Sequence, residues 1–260
     1  MSHPRDWGMR TSRLSFLNAN DMHHIKTAIL VDGGFYRRIS QTLWGKKTAA
    51  DRAAELHAYC FKHRDDTDGD DTKRDLYRIF YYDCPPLDEI IYNPLSKKNE
   101  NFGQRDTCRW TLEFFRELSR KRKVAIRLGR LSKNEIGYRI TPEAQKKLLA
   151  GKLRVDDLTE HDVRPSFGQK GVDVKIGLDI LHLAYKRLVD QIILVSGDSD
   201  FVPAAKLARR EGVDFILDPM GTHVADDLME HVDGLKTHVE KKSIKRAKSR
   251  RPSPPDAPKG

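Results

Sequence analysis

Two aspartates, Asp198 and Asp200, directly follow a short apolar run and are well placed to do chemistry. The run at 192–195, Ile-Ile-Leu-Val, predicts a strand that is buried on both faces, as in the middle of a parallel sheet. Open α/β sheets bind their ligands at the carboxyl ends of such strands. The two carboxylates could therefore bind a metal ion or a phosphate, or one of them could simply cap the helix predicted over 201–211.

A second aspartate at a strand end is Asp32, which closes the apolar run at 26–32. Gly33 and Gly34 follow it, and glycines permit a tight turn and a close approach of backbone to ligand. The same alternatives apply here, since Asp32 could serve a metal or phosphate site or cap the next helix.

The helix predicted over 172–189 supplies further carboxylates. Asp173 lies in its first turn, where the helix dipole favours negative charge. Asp179 lies about 600° further around the helix, so the two cannot both point squarely at one ion. Asp173 is therefore the better candidate ligand and Asp179 ranks second.

In a doubly wound sheet these strand ends and helix starts meet in one cleft at the carboxyl edge. Carboxylates gathered there without counter-charge repel one another unless a cation binds them. Oxygen ligands alone favour Mg²⁺ or Mn²⁺ over zinc. Such an ion could activate water and neutralise charge on a phosphate oxygen, which indicates phosphodiester hydrolysis. The aspartates concerned are Asp32, Asp173, Asp198 and Asp200.

Alternating strand and helix patterns predict an α/β fold with a parallel sheet covered by helices on both sides. The predicted strands lie at 26–32, 76–82, 124–131, 192–195 and 213–217. The segment 132–166 fits this alternation poorly and is interpreted as an insertion with a hairpin and a short helix near 142–149. The polar segment 93–104 is interpreted as a flexible crossing.

The chain has a net charge of +10, and much of this charge lies at the C-terminal end. Residues 236–260 hold nine basic against two acidic residues, which suggests contact with a polyanion, nucleic acid before membrane. A solvated tail that only aids solubility is the alternative. No apolar run is long enough to span a membrane, and no secretory signal is apparent. The three separated cysteines favour a reducing, cytoplasmic location.

Three segments together resemble the NYN domain of the PIN-like nuclease superfamily, in its LabA-like branch. They are Ala-Ile-Leu-Val-Asp-Gly-Gly-Phe at 28–35, Lys-Gly-Val-Asp at 170–173 and Val-Ser-Gly-Asp-Ser-Asp-Phe at 195–201. The resemblance extends over about 26–231 and implies a Rossmann-like (PIN-like) three-layer fold with a mostly parallel central sheet. It also implies RNA cleavage that depends on a divalent metal, Mg²⁺ or Mn²⁺. Many members carry Asn where this chain has Phe35, which puts the catalytic rate in question but not the metal site.

By position, the resemblance makes four residues the catalytic and metal-binding aspartates, namely Asp32, Asp173, Asp198 and Asp200. Asp179 matches a further Asp of the same helix. Substrate contacts are expected from Ser196, Ser199, Lys170, Gly33 and Gly34. Sequence-independent affinity for RNA is expected from the basic residues Lys241, Lys242, Lys245, Arg246, Lys248, Arg250 and Arg251.

The expected organisation is a mobile extension over 1–24, the NYN/PIN-like domain over 25–235 and a basic, disordered tail over 236–260. The leading hypothesis is a metal-dependent ribonuclease, with an endoribonuclease favoured, that has RNA as its partner and makes no membrane contact. A second is a non-catalytic RNA-binding or regulatory protein that keeps the fold. A third is a phosphatase or nucleotide-binding α/β protein with Asp32 as nucleophile, although Gly34 stands where a second acid would be needed. Assembly into a homo-oligomer stays open.

Overall fold

A parallel six-stranded sheet forms the centre of the protein in the computed structural model, which describes residues 24–66 and 73–249. The strands of the described residues, in chain order, are β1 (His24–Asp32), β2 (Lys73–Asp83), β3 (Ile90–Asn93), β4 (Lys98–Asn101), β5 (Val124–Leu128), β6 (Arg130–Ile140), β7 (Val163–Lys170), β8 (Gln191–Val195), β9 (Asp214–Asp218) and β10 (Gly234–Leu235). The central sheet has the order β10-β9-β8-β1-β2-β5, and every pairing in it is parallel. The predicted α/β class is therefore confirmed.

Helices cover both faces of this sheet and make the predicted three-layer arrangement. They are α1 (Gly33–Trp44), α2 (Ala49–Asp65), α3 (Asp106–Ser119), α4 (Pro142–Leu149), α5 (Val172–Tyr185), α6 (Val202–Arg210), α7 (Asp226–Met229) and α8 (Lys241–Ser249). Side chains alternate along β1, so Ile29 and Val31 pack in the core under α1, α2 and α3. Ala28 and Leu30 point to the opposite core, under α5 and α6. This burial on both faces is why the strands read as continuous apolar runs.

The order of the strands reverses at β1, and this reversal creates a crevice. The chain runs from β1 outward through β2 to β5, then returns to β8 on the other side of β1 and continues outward to β9 and β10. The connections after β1 and β8 consequently leave toward opposite faces, since α1 lies in one core and α6 in the other. Ligands of open α/β sheets bind at such a switch point.

The predicted insertion contains an antiparallel hairpin of β6 and β7 with α4 between its strands. Helix α4 has the predicted bounds, with Thr141 as its N-cap and Pro142 in its first turn. The segment 93–104 was expected to be a flexible crossing, but β3 and β4 pair there as a second antiparallel hairpin. Asn93 fixes its turn by accepting from the backbone N–H groups of Leu95 and Ser96, a pattern that polar residues in turns provide.

The C-terminal segment differs from the prediction of a disordered tail over 236–260. Helix α8 forms within it, and its residue Ile244 packs against the core beside the buried Val239. An ideal Cβ on Gly221 would lie 2.4 Å from Ile244, so the helix rests directly on the turn after β9. Val239 and Ile244 thus bring this basic segment into contact with the core. The expected N-terminal extension, apart from His24, lies outside the described residues.

Candidate active site at the switch point of the sheet

Asp32 lies where β1 ends and α1 begins, at the centre of the switch point. Its side chain caps α1 by accepting from the Phe35 N–H at 3.0 Å, and its Oδ2 accepts from the Ser196 hydroxyl at 3.3 Å. Burial raises the pKa of Asp32, and the charges of Asp173 and Asp83 raise it further against these two hydrogen bonds. Capping of α1 does not exclude a ligand at this residue, because only part of its acceptor capacity is used.

The turn after β8 presents two carboxylates beside Asp32. Val195 pairs with Val31, so Ser196 and Asp32 leave neighbouring strands at the same level. The buried Ser196 hydroxyl receives the Asp198 N–H at 3.3 Å, while Asp198 caps a 3₁₀ turn by accepting from the Asp200 N–H at 3.0 Å. Asp198 and Asp200 are both exposed to solvent.

Asp173 is the carboxylate that couples electrostatically to the other three. It lies in the first turn of α5, which Gly171 starts from a left-handed conformation with φ of 81°. Desolvation raises the pKa of Asp173, and the charges of Asp198 and Asp200 raise it further. The charge of Asp173 in turn acts on Asp32. The four predicted aspartates therefore share one electrostatic neighbourhood.

None of these four carboxylates has an ion-pair partner within residues 24–66 and 73–249. The atoms that could bind a metal here are carboxylate oxygens, and hard divalent cations such as Mg²⁺ prefer oxygen ligands. In the described residues, however, no three His, Cys, Asp or Glu side chains surround a common point closely enough to hold a metal. The arrangement thus fits an ion held by one or two carboxylates with the remaining positions open to water or phosphate, which is how Mg²⁺ is commonly bound.

Asp179 is held away from this group. Its Oδ2 accepts from the Tyr82 hydroxyl at 2.8 Å and lies 3.2 Å from Nε of Arg127. A carboxylate with a hydroxyl donor and a guanidinium partner is already compensated. As placed, Asp179 ties α5 to β2 and β5, and the structure gives no support to its rank as a metal ligand.

Three of the five residues predicted to contact substrate have side-chain partners within the protein, namely Lys170, Ser196 and Ser199. Lys170 pairs with Glu135 of the inserted hairpin at 2.8 Å, and the Ser199 hydroxyl donates to Asp227 at 3.1 Å. Gly33 is buried, and an ideal Cβ there would lie 2.5 Å from the Tyr81 ring and hydroxyl. Gly34 is exposed in the cleft beside Asp32. Of this set, Gly34 and Ser199 line open space, and Ser196 acts through Asp32.

Asp83, at the end of β2, was not among the predicted site residues. It is 2% exposed and forms an ion pair with Arg37 of α1 at 2.9 Å. It also accepts from the Tyr81 hydroxyl and the Cys84 N–H, both at 2.8 Å. Burial raises the pKa of Asp83 while Arg37 lowers it. Its position at a strand end, like that of Asp32, was the available signal.

Asp218, at the end of β9, is another strand-end aspartate with a structural role. It is fully buried and accepts from the Tyr59 hydroxyl at 2.6 Å, lies 2.8 Å from Nε2 of His63 and accepts from the Met220 N–H at 2.8 Å. His238 packs edge-on against His63 with 4.4 Å between ring centroids. This network joins α2 to the segment that leads into α8.

A cleft of about 910 Å³ opens at the switch point, and Asp32 and Asp198 lie in its wall. Its apolar part includes Phe35, whose ring lies 3.1 Å from the position of a Cβ on Gly197, so a side chain at position 197 would crowd the ring. Arg38 on α1 is exposed in the same wall, and its side chain has no ion-pair partner within the described ranges. The cleft therefore combines carboxylates with an available cation.

Two solved structures are distantly similar to this chain. A protein of unknown function from Vibrio parahaemolyticus is 15% identical, with a TM-score of 0.40 over 82% of this chain and 92% of that one. A Sir2 variant with a deacetylated p53 peptide and 3′-O-acetyl ADP-ribose is 10% identical, with a TM-score of 0.30 over 85% of this chain and 90% of that one. Neither similarity supports a functional argument. No curated protein matches the chain significantly.

Within residues 24–66 and 73–249, no helix is both long and apolar enough to cross a membrane.

The family comparison does give a match. Residues 111–235 match the model of the NYN domain, a range that includes Asp173, Asp198 and Asp200 but begins after Asp32. The NYN domain belongs to the PIN-like nuclease superfamily, which suggests ribonuclease activity. The match over residues 111–235 therefore supports the presence of an NYN domain in this chain.

Proposed function

We propose that this protein is a divalent-metal-dependent ribonuclease that hydrolyses RNA phosphodiester bonds at Asp32, Asp173, Asp198 and Asp200. The observation that carries the proposal is that Asp173 interacts electrostatically with each of the other three carboxylates, while none of the four pairs with a cation of the described residues. Asp83 and Asp218, also at strand ends, are compensated by donors of the protein. The chain has a net charge of +10, yet no described cation pairs with these four carboxylates. Their negative charge therefore favours binding of a cation from solution.

Mg²⁺ or Mn²⁺ suits this cluster, with Asp173 as the central ligand because it couples to the other three aspartates. When bound, such an ion lowers the pKa of water and neutralises charge on a phosphate oxygen. The chain itself orients the ligands. Ser196 and the Phe35 N–H hold the Asp32 carboxylate in place, and the 3₁₀ turn fixes Asp198 relative to Asp200.

Basic side chains around the cleft favour RNA as the substrate. Arg38 on the cleft wall is available for a phosphate. Helix α8 contacts α1, which also lines the cleft, and exposes Lys241, Lys242 and Lys245, so part of the predicted basic tail lies against a wall element of the cleft. Arg246 and Lys248 also lie in α8, whereas Arg250 and Arg251 lie outside the described residues. Lysines and arginines on one surface supply sequence-independent affinity for a nucleic acid backbone.

Within the NYN domain, we assign the chain to the LabA-like branch on its Lys-Gly-Val-Asp and Ser-Gly-Asp-Ser-Asp-Phe motifs. We also propose a cytoplasmic location. The support is that Cys60, Cys84 and Cys108 are all buried free thiols, a state typical of a reducing compartment.

The test is RNA cleavage by purified protein with Mn²⁺, Mg²⁺ or EDTA, beside the variants Asp198→Asn and Asp200→Asn. Asp214→Asn is the matched control, since it removes the same charge from the opposite end of β9, about 13 Å from the carboxyl edge. We expect metal-dependent cleavage that both site variants lose and the control keeps. Cleavage that persists in Asp198→Asn and Asp200→Asn would disprove the proposed site.

A second candidate is a non-catalytic RNA-binding or regulatory protein that keeps the same fold. Two observations favour it: no three described groups surround one metal position, and Phe35 makes part of the cleft apolar. This alternative predicts RNA binding without cleavage under any metal condition. The same experiment therefore separates the two functions.

A further inference from the structure

A second, smaller pocket lies next to the buried Asp83, whose neighbour in sequence, Cys84, forms part of its wall. It has a volume of about 320 Å³ and lies between β7 of the inserted hairpin, the segment after β2 and the start of α3. Its walls are mainly apolar and are formed by Pro85, Pro86, Leu87, Phe102, Pro165 and Phe167. Ligand pockets typically have volumes of about 300–1000 Å³ and apolar walls with a few polar groups.

Two flat surfaces border this pocket. Phe167 lines the pocket and is 37% exposed, so part of its surface is open to solvent there. The Arg105 guanidinium lies over the Phe102 ring at 3.7 Å from its centroid, and Glu100 holds it there through an ion pair. Aromatic rings and guanidinium planes are the surfaces on which proteins stack unpaired bases of RNA.

The cations of the pocket are neutralised, which argues against a phosphate as its ligand. Arg37 is paired with Asp83 and Arg105 with Glu100. Gln169, by contrast, is exposed at the pocket, and its side chain has no hydrogen-bond partner within the described ranges. An amide can donate and accept at once, as recognition of a base edge requires. The pocket thus favours an uncharged ligand with a flat ring and hydrogen-bonding groups along its edge.

The pocket is connected to the aspartate cluster through the backbone on two sides. Cys84 lines the pocket and donates its N–H to Asp83, whose charge acts on Asp32. Gln169 lies four residues before Asp173, and the charge of Asp173 contributes to the raised pKa of Cys84. A nucleotide with its phosphate at the cluster would place a neighbouring base within reach of this pocket.

We propose that this pocket binds one unstacked nucleobase of single-stranded RNA, with stacking on Phe167 and Arg105 and edge recognition by Gln169. This inference rests on the proposed function, because it assumes an RNA strand at the aspartate cluster. It gives the inserted hairpin a role in choosing the base next to the bond that is cleaved.

The test uses the full chain and fluorescein-labelled oligoadenylate, oligocytidylate and oligouridylate of about ten nucleotides. Affinity is measured in EDTA by anisotropy, and cleavage preference is measured separately with Mn²⁺. Variants are Phe167→Ala and Gln169→Ala, with Tyr185→Ala as the control. Tyr185 is 71% exposed at the far end of α5, about 18 Å along the helix from Asp173. Circular dichroism melts establish that each variant is folded.

We expect Phe167→Ala to weaken binding by roughly 5- to 150-fold, the range for removal of one base-stacking aromatic side chain. Gln169→Ala should mainly reduce the difference between the three oligonucleotides, and Tyr185→Ala should change neither property. Unchanged affinity and preference in folded Phe167→Ala would overturn the pocket while leaving metal-dependent cleavage intact. Binding that depends on Phe167 without any cleavage would support the pocket and disprove the nuclease. Absence of RNA binding by the unaltered protein would overturn the pocket as well.

Discussion

Removal of the Arg37 charge should reveal the energetic cost of burying the Asp83 carboxylate near the aspartate cluster. The two side chains are 29% and 1% exposed and lie 2.9 Å apart. Breaking a buried ion pair from one side typically costs about 3–5 kcal/mol. Asp83 would keep its bonds from Tyr81 and Cys84, so we expect Arg37→Leu to lower the free energy of unfolding by about 3 kcal/mol.

The loss should depend on pH in a defined direction. Arg37 lowers the pKa of Asp83 against the effect of burial, so its removal raises the folded-state pKa further above the unfolded value. The folded variant then binds the proton more tightly than the unfolded chain. Its deficit should therefore be small near pH 4 and should grow as the pH rises through the pKa of Asp83.

Urea unfolding at pH 5 and pH 7.5 measures this effect, and a loss of about 3 kcal/mol corresponds to a midpoint shift of about 1 M. The double variant Arg37→Leu with Asp83→Asn is the control. It leaves no buried charge, so it should recover part of the stability at pH 7.5. A loss below about 1 kcal/mol, or one that is equal at both pH values, would refute the argument that this ion pair compensates a buried charge.

Four further outcomes follow from the structure. Gly33→Ala should destabilise the protein by about 1–3 kcal/mol, because its Cβ would lie 2.5 Å from Tyr81, whereas Gly34→Ala has 3.4 Å to Asp32 and should be nearly neutral in thermal melts. Asp173→Asn should abolish any rise in melting temperature caused by Mn²⁺, which a calorimetric titration checks directly. Ile244→Ser keeps the charge of α8 but removes the apolar side chain that packs on Gly221. It should therefore weaken RNA binding in anisotropy assays. Unchanged affinity would mean that the packing of α8 does not contribute to RNA binding. Burial and the nearby His63 lower the pKa of His238. The stability that His238 contributes is therefore present above its ordinary pKa and is lost as the pH falls below that value. His238→Gln should reduce this loss of stability at acid pH, which urea unfolding measures.

The elements of this fold could be predicted from local sequence pattern. The apolar run at 192–195 became β8 with the bounds extended by one residue, and the helix near 142–149 became α4. Short-range chemistry sets these bounds, since strand burial and helix capping depend on neighbours only a few residues away. The hairpin of β3 and β4 was missed because its strands are four residues each and mostly polar.

Local pattern also placed the aspartates at strand ends but could not separate a ligand from a structural carboxylate. Asp83 and Asp218 follow apolar strands just as Asp32 does. Asp83 accepts a hydrogen bond from Arg37, which is 46 residues away in the sequence, and Asp218 accepts one from Tyr59, which is 159 residues away. Only the packing of distant elements determines such partners.

The sequence by itself therefore determined the α/β alternation, the candidate carboxylates and the basic C-terminal segment. The tertiary structure alone decided which carboxylates are neutralised. It paired Asp179 with Tyr82 across 97 residues and left Asp32, Asp173, Asp198 and Asp200 coupled without a cation of the described chain. The physical reason is that charge compensation depends on distances of a few ångströms between side chains, and the order of strands in the sheet sets those distances.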